Sequence, residues 1–336
     1  MTFKQIITTL AFCYAANAVW AQEATPEPEP EQEAGQVLVH GQRPGPGMWK
    51  VSKDEHVLWV FGRYGPLPAK MEWRSHEVEA VLARSQEYLA EPDASAKVGI
   101  WGGIKLAASL PQLWNIQKNP DGAMLKDVVP PETYQRWSVL KDKYMSQDDE
   151  VDRYRPFFAA NKLYTAGLQH IGLSNKDEVG PAINKLVKQY KLKFTPSSVE
   201  VDLSDASKLL KEFSKSGLDD AACFSSTLAR LEADIDHMRL RANAWAIGDI
   251  EVIRKLDYND HEGTCRAAIE GSAAFQSRPD LREARAKTRE LWLQNAQQAL
   301  ENNATTFAML PLKEILSPTG LLARLQTKGY KVVAPE

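Results

Sequence analysis

The sequence lacks the signatures that most readily identify an enzyme. No His-Glu-x-x-His pair occurs, so the usual helical zinc-peptidase spacing is missing. No Gly-x-Ser-x-Gly elbow occurs, which argues against a serine hydrolase of the α/β type. Gly99-Ile-Trp-Gly-Gly-Ile-Lys105 is rich in glycine, but no Gly-Lys-Ser/Thr follows it, so it reads as a turn rather than a phosphate loop. Charge of one sign is also scarce: the formal net charge is −3, which gives no electrostatic case for binding nucleic acid. No apolar run approaches the roughly 20 residues that span a bilayer, apart from a short one at the N-terminus. Cysteine is rare, with 3 in 336 residues.

What remains is ordinary for a folded, water-exposed chain: 43% hydrophobic and 25% charged residues. The N-terminal run reads as a cleavable signal peptide over residues 1–21. Lys4 supplies the positive start, Ile6 to Ala18 the apolar stretch, and Val19-Trp20-Ala21 the small residues before cleavage. An uncleaved anchor is the alternative. The expected location is periplasmic or secreted, with no transmembrane span after cleavage. Residues 22–46 follow as a linker. Its Pro/Glu alternation carries too little apolar surface to offset the entropy of ordering it. Removal of the signal leaves Cys223 and Cys265. An even pair in an oxidising compartment fits one disulfide, with two separate buried thiols as the alternative. Such a bridge would stabilise the fold by about 3–4 kcal/mol in the chain-entropy description.

Residues 47–336 read as a single domain. Val57 to Phe61 is a continuous apolar run ending at Gly62, the pattern of a strand buried on both faces. Ser75 is placed to cap a helix carrying Val78, Val81, Leu82 and Leu89 at helical spacing. Helices are expected over 131–145, 153–171, 181–190, 218–246 and 280–302, and after a Ser204 cap. Further strands are expected at 48–51, 199–203, 305–310 and 330–334, with Val37–Val39 as a short strand or docking segment. The expected class is α+β: a mixed β-sheet built from N- and C-terminal segments, flanked by a large helical block. The aromatic residues Trp101, Trp114, Tyr134 and Trp137 suit either a ligand groove or the core, and at this spacing core is the commoner use. Lys185, Lys188, Lys191 and Lys193 read as the wet face of a helix. His261 with Cys265 has metal-ligand residue types but no partners at matching spacing.

Several segments, in order, resemble the TraB/GumN family within the Tiki-like proteases. Gly47-Met-Trp-Lys-Val51 is similar to the family's opening strand. Val57 to Pro68 is similar to its strand and Gly-Thr-x-His-x-x-Pro turn. Trp73 to Glu91 is similar to the following helix and a strand ending in a functional glutamate. Arg241-Ala-Asn-Ala-Trp-Ala-Ile-Gly-Asp249 and Phe307 to Pro335 are similar to later segments. The departures are specific. Gly62 and Pro68 are kept, but Arg63 stands for the threonine and Gly65 for the histidine. Counted back from Gly320-Leu321, Glu314 stands where a second histidine belongs.

The resemblance implies a metal-dependent hydrolase in the active members, with these histidines as ligands. Glycine offers no ligand atom, and a catalytic metal commonly needs about three protein ligands. The expectation is therefore a catalytically degenerate member with no metal or other cofactor. It would act by binding a peptide or an envelope polysaccharide, the latter because one branch of the family is associated with exopolysaccharide clusters. The alternative is a metal-assisted, peptidase-like hydrolase with a site rebuilt around Glu91. Glu91 and Glu314 are the candidate catalytic carboxylates, against the plainer reading of a strand end and a solvated helix start.

Overall fold

A computed structural model describes residues 46–68, 71, 76–99, 103, 116–215, 220–255 and 261–335. The signal sequence, the linker up to residue 45 (with Val37–Val39), Ser75, Trp101 and Trp114 lie outside the described residues, as does most of Gly99–Lys105.

Six strands form one mixed sheet. In chain order its members are β1 (Met48–Lys53), β2 (His56–Arg63), β4 (Glu87–Lys97), β6 (Lys193–Asp202), β7 (Thr305–Pro311) and β8 (Lys331–Val333), and their spatial order is β6-β4-β7-β2-β1-β8. A separate short pair joins β3 (Leu67–Pro68) to β5 (Leu173–Ser174). β4, β6, β7 and β2 run parallel, while β1 is antiparallel to both β2 and β8. The apolar run in β2 follows from this order. β2 is an interior strand, and Leu58, Val60 and Phe61 are fully buried. The α+β expectation and the contribution of both chain ends therefore hold. One strand from the middle of the chain, β6, joins at an edge. It begins at Lys193 rather than near Val199 and passes through Pro196, which an edge strand tolerates because one of its sides donates nothing to the ladder.

The helices divide into two groups. Beside the sheet lie α1 (His76–Arg84) and the long α12 (Pro279–Asn302), which packs along β4, β6 and β2. The helical block contains α2 (Leu125–Val128), α3 (Pro131–Met145), α4 (Pro156–His170), α5 (Val179–Gln189), α6 (Ala206–Lys215), α7 (Ala221–Ala233), α8 (Ile235–Ala246), α9 (Ile250–Lys255), α10 (His261–Glu270) and α11 (Ala273–Gln276). Two short helices, α13 (Leu312–Leu316) and α14 (Leu321–Thr327), follow β7.

Three expectations are corrected. α1 stops at Arg84, so Leu89 belongs to β4. β4 continues to Lys97 instead of leaving at Pro92. The helix expected over 218–246 is two helices, broken at Asp234. There the backbone opens to φ −117°, ψ −3°, and the carboxylate turns inward to Arg230 and Arg241. Trp137 is core, donating its indole N–H to Asp152 at 2.8 Å. Lys185 and Lys188 are exposed on α5, as the wet-face reading expected, but the helix ends at Gln189, so Lys191 lies beyond it and Lys193 opens β6.

One aromatic cluster joins the sheet to the block. Phe61 stacks on Phe307 at 6.2 Å and meets Trp245 edge-on at 6.1 Å. The Trp245 indole N–H also donates to the Gly62 carbonyl at 2.6 Å. Glycine is required at position 62 for close approach: a Cβ there would stand 2.8 Å from Leu312 and 2.9 Å from Trp49. At the other end of β4, buried Glu87 accepts hydrogen bonds from Thr195 and Asn303 and faces Lys193 at 3.3 Å. It thereby ties β4 to β6 and to the turn before β7.

Trp245→Phe removes the indole donor to Gly62, and we expect it to cost about 1–3 kcal/mol in urea unfolding. Glu87 supplies a pH-dependent term. Burial raises its carboxyl pKa, but the Thr195 and Asn303 hydrogen bonds and the Lys193 charge outweigh burial, leaving it below its ordinary value of 4.5. A depressed carboxyl stabilises the fold above its unfolded pKa, and that contribution is lost as pH falls through the folded value. The stability gap between wild type and Glu87→Gln should therefore narrow on acidification below about pH 4, as read by thermal unfolding across pH.

Candidate functional site

The site is set at the carboxyl ends of the parallel strands, the edge where open α/β sheets bring functional groups together. β2 and β7 end in register, Gly62 beside Leu310 and Arg63 beside Pro311. β4 pairs with β7 only over Glu87–Leu89, and its register with β6 shifts between Leu89 and Pro92. Glu91 lies in this irregularity, where an extra residue re-aims a strand's side chains. Pro92 fits there because it has no N–H to donate. Glu91 is thus a mid-strand residue, not the strand end expected from sequence.

Arg63 reaches across the end of β7 to Glu91. Its Nε donates to Oε1 at 2.7 Å and its Nη2 to Oε2 at 2.8 Å, a two-pronged pair with both carboxylate oxygens engaged. The Glu91 side chain is 17% exposed and that of Arg63 31%. Tyr88 lies nearby. Burial raises its phenol well above its ordinary value, with the Glu91 charge adding to the shift and Arg63 opposing it.

Glu314 is held in the first turn of α13, where its backbone carbonyl packs against Gly320. A Cβ at Gly320 would fall 2.1 Å from that oxygen. Its side chain is 15% exposed, which replaces the solvated-start reading. Arg289 donates to Oε1 at 2.7 Å and Arg285 stands at 3.5 Å from the same oxygen. Oε2 is buried and has no hydrogen-bond partner among the described residues. Each candidate carboxylate is thus held by arginine, Glu91 by Arg63 and Glu314 by Arg289 and Arg285.

Arg63, Tyr64, Gly65 and Leu67 of the turn, with Lys313 and Glu314 after β7, form one wall of a cavity of about 1230 Å³. Pro68, in β3, is outside that lining and pairs with Leu173. α4, α7, α9 and α10 supply the facing wall, which includes Tyr164, Arg230, Arg254 and Arg266. Cys223 of α7 and Cys265 of α10 also line it, their sulfurs 2.07 Å apart, at disulfide distance. Cys265 is thereby accounted for without a metal role beside His261.

A buried charge cluster adjoins this wall and shares Arg230 with it. Arg241 is 1% exposed and ion-paired with Asp234. Arg230 lies 3.7 Å from the same carboxylate and over the Tyr164 ring at 5.2 Å. Burial raises the Tyr64 phenol pKa, and Arg241 partly counters the rise. Sequence reasoning missed Arg230, Arg254, Arg266 and Arg285. The available signal was the Arg230–Asp234 spacing of four, which places both on one helical stripe among apolar residues.

Residues 47–334 match the description TraB/PrgY/gumN family. The chain belongs to that family. The match spans the whole sheet, the helical block and the cavity, so the ordered resemblance is borne out across the domain. No curated protein and no solved structure matches the chain.

Arg63 and Glu91 should be energetically coupled. A double-mutant cycle with Arg63→Gln and Glu91→Gln is expected to give about 1–3 kcal/mol of coupling in denaturant unfolding, against near zero for a purely solvated pair.

Proposed function

We propose that this chain is an exported TraB/PrgY/gumN-family protein that is catalytically degenerate and acts by binding a peptide or an envelope polysaccharide in the cavity. The observation that carries the reading is the state of Glu91: both of its oxygens are held by Arg63. A divalent ion of the kind the family resemblance implies needs about three protein ligands. Gly65 offers none, Glu91 is engaged by a guanidinium, and Glu314 is engaged through one oxygen by two arginines. Among the described residues, no group of three or more His, Cys, Asp or Glu is arranged to hold a metal ion. The residues present do not fit the metal.

A binding role uses what the chain presents: a cavity of about 1230 Å³ at the sheet edge, lined by apolar and charged side chains together. The signal sequence at 1–21, the linker at 22–46 and a periplasmic or secreted location belong to this reading on sequence grounds. Among the described residues no helix is long and apolar enough to cross a membrane.

Elemental analysis of the purified protein, after incubation with manganese, cobalt or zinc, tests the reading. We expect no stoichiometric metal and no difference from Glu91→Ala. One equivalent of bound metal that disappears in Glu91→Ala would overturn it in favour of a metal-assisted hydrolase rebuilt around Glu91.

A further inference from the structure

α10 packs against α7, yet it brings little apolar surface to that contact. Its sequence, His261-Glu-Gly-Thr-Cys-Arg-Ala-Ala-Ile-Glu270, has one large aliphatic residue, and Ile269 is only half-buried, in the cavity lining. Ala268, 8% exposed, is its buried apolar side chain among the described residues. No residue of α10 belongs to the hydrophobic core that unites the sheet with the helical block, among the described residues. At 10 residues, with Gly263 and Thr264 near its start, the helix is also too short and too poor in helix formers to hold by itself.

The chain is anchored on either side of it. Before α10, Ile250 and Ile253 of α9 enter the core. After it, Arg278 pairs with Asp205 at 2.8 Å and Asp280 at 2.6 Å, and donates to the Asp202 carbonyl. Between these anchors the Cys223–Cys265 bond ties α10 to α7. The two halves of the bond differ in access. Cys223 is 1% exposed, whereas Cys265 is half-buried, and both line the cavity. A reductant therefore approaches from the Cys265 side, and accessible disulfides are the ones that open readily.

We propose that α10 is a redox-released strap: the Cys223–Cys265 bond pins it against α7, and a dithiol that reduces the bond frees it and opens the facing wall of the cavity. One thiolate of the dithiol attacks Cys265 Sγ, the S–S bond breaks, and its electron pair leaves on Cys223 Sγ, which takes up a proton. The dithiol's second thiolate then attacks its own sulfur in the mixed disulfide. Cys265 leaves as a thiol and the reductant departs as a disulfide, so two electrons and two protons pass to the protein. Freed α10 withdraws Arg266, Ile269 and Glu270 from the wall. The consequence for a ligand rests on the reading of this cavity as a binding site; the release of α10 does not.

The test is hydrogen–deuterium exchange of the purified full chain, without ligand or denaturant, before and after dithiothreitol, with alkylation to count free thiols. Both cysteines should become alkylated, and amides over residues 261–277 should exchange at least about tenfold faster while β2 and β7 keep their protection. Cys265→Ser should exchange like the reduced protein with no reductant added; if that variant does not fold, the reduced wild type decides. A bond that resists dithiothreitol, unchanged exchange over 261–277 in the reduced protein, or protection lost through β2 and β7 as well would each overturn the strap. Those results would leave the binding reading intact. Stoichiometric metal in the elemental analysis would remove the binding reading without touching the exchange result.

Discussion

The bidentate contact between Arg63 and Glu91 governs the geometry of the functional edge. It links two strands that are not neighbours, β2 and β4, across the end of the strand between them. A carboxylate at this depth needs a counter-charge, because leaving it unpaired in a half-buried position costs more than a solvated charge would. Arg63 meets that need with the planar fork that matches both carboxylate oxygens, which a lysine would not do. Once Arg63 is turned to Glu91, the residues after it have little freedom. Tyr64 is drawn into the field of Arg241, Gly65 is left on the surface, and Leu67 enters the short ladder with β5.

The same edge shows how backbone chemistry supports a site. Gly62 lets Trp49 and Leu312 close around the end of β2, and its carbonyl accepts from Trp245. Gly320 lets the loop after α13 press against the Glu314 backbone. Neither glycine contributes a functional group. Each removes a side chain so that a neighbouring element sits closely enough to hold an arginine–carboxylate pair in place. The disulfide works at a larger scale, joining α7 to α10 along the facing wall.

Much of the scaffold was legible in the sequence because it depends on local pattern. The Val57–Phe61 run gave an interior strand, Pro131 marked a helix start that the structure reproduces at the same residue, and the even cysteine pair proved to be at bonding distance. The misreadings share one cause, contact between distant segments. Asp234 breaks a helix whose local spacing is unbroken, because Arg230 and Arg241 draw its carboxylate inward. Pro92 looked like an exit, yet β6, about a hundred residues later, supplies a partner beyond it. Glu314 looked solvated, since nothing near it in sequence shows that Arg285 and Arg289, on another helix, reach it. Candidate carboxylates can be named from a motif, but their charge partners come from the fold.

The glycine at position 65 is not imposed by the fold. A Cβ placed there meets no heavy atom within 4 Å, so packing does not impose glycine. Its φ is not among the positive values either, so backbone strain does not impose it. An imidazole there would have room. What would be missing is a free partner, because the Glu91 oxygens are already taken by Arg63. On the proposed reading the two departures from the family pattern are connected. With no metal to balance Glu91, a cation is needed at its oxygens, and an arginine beginning one residue past Gly62 provides it. With that cation in place, a histidine at 65 has no ion to bind. On that reading the carboxylate serves to hold Arg63 in place in the cavity's lining.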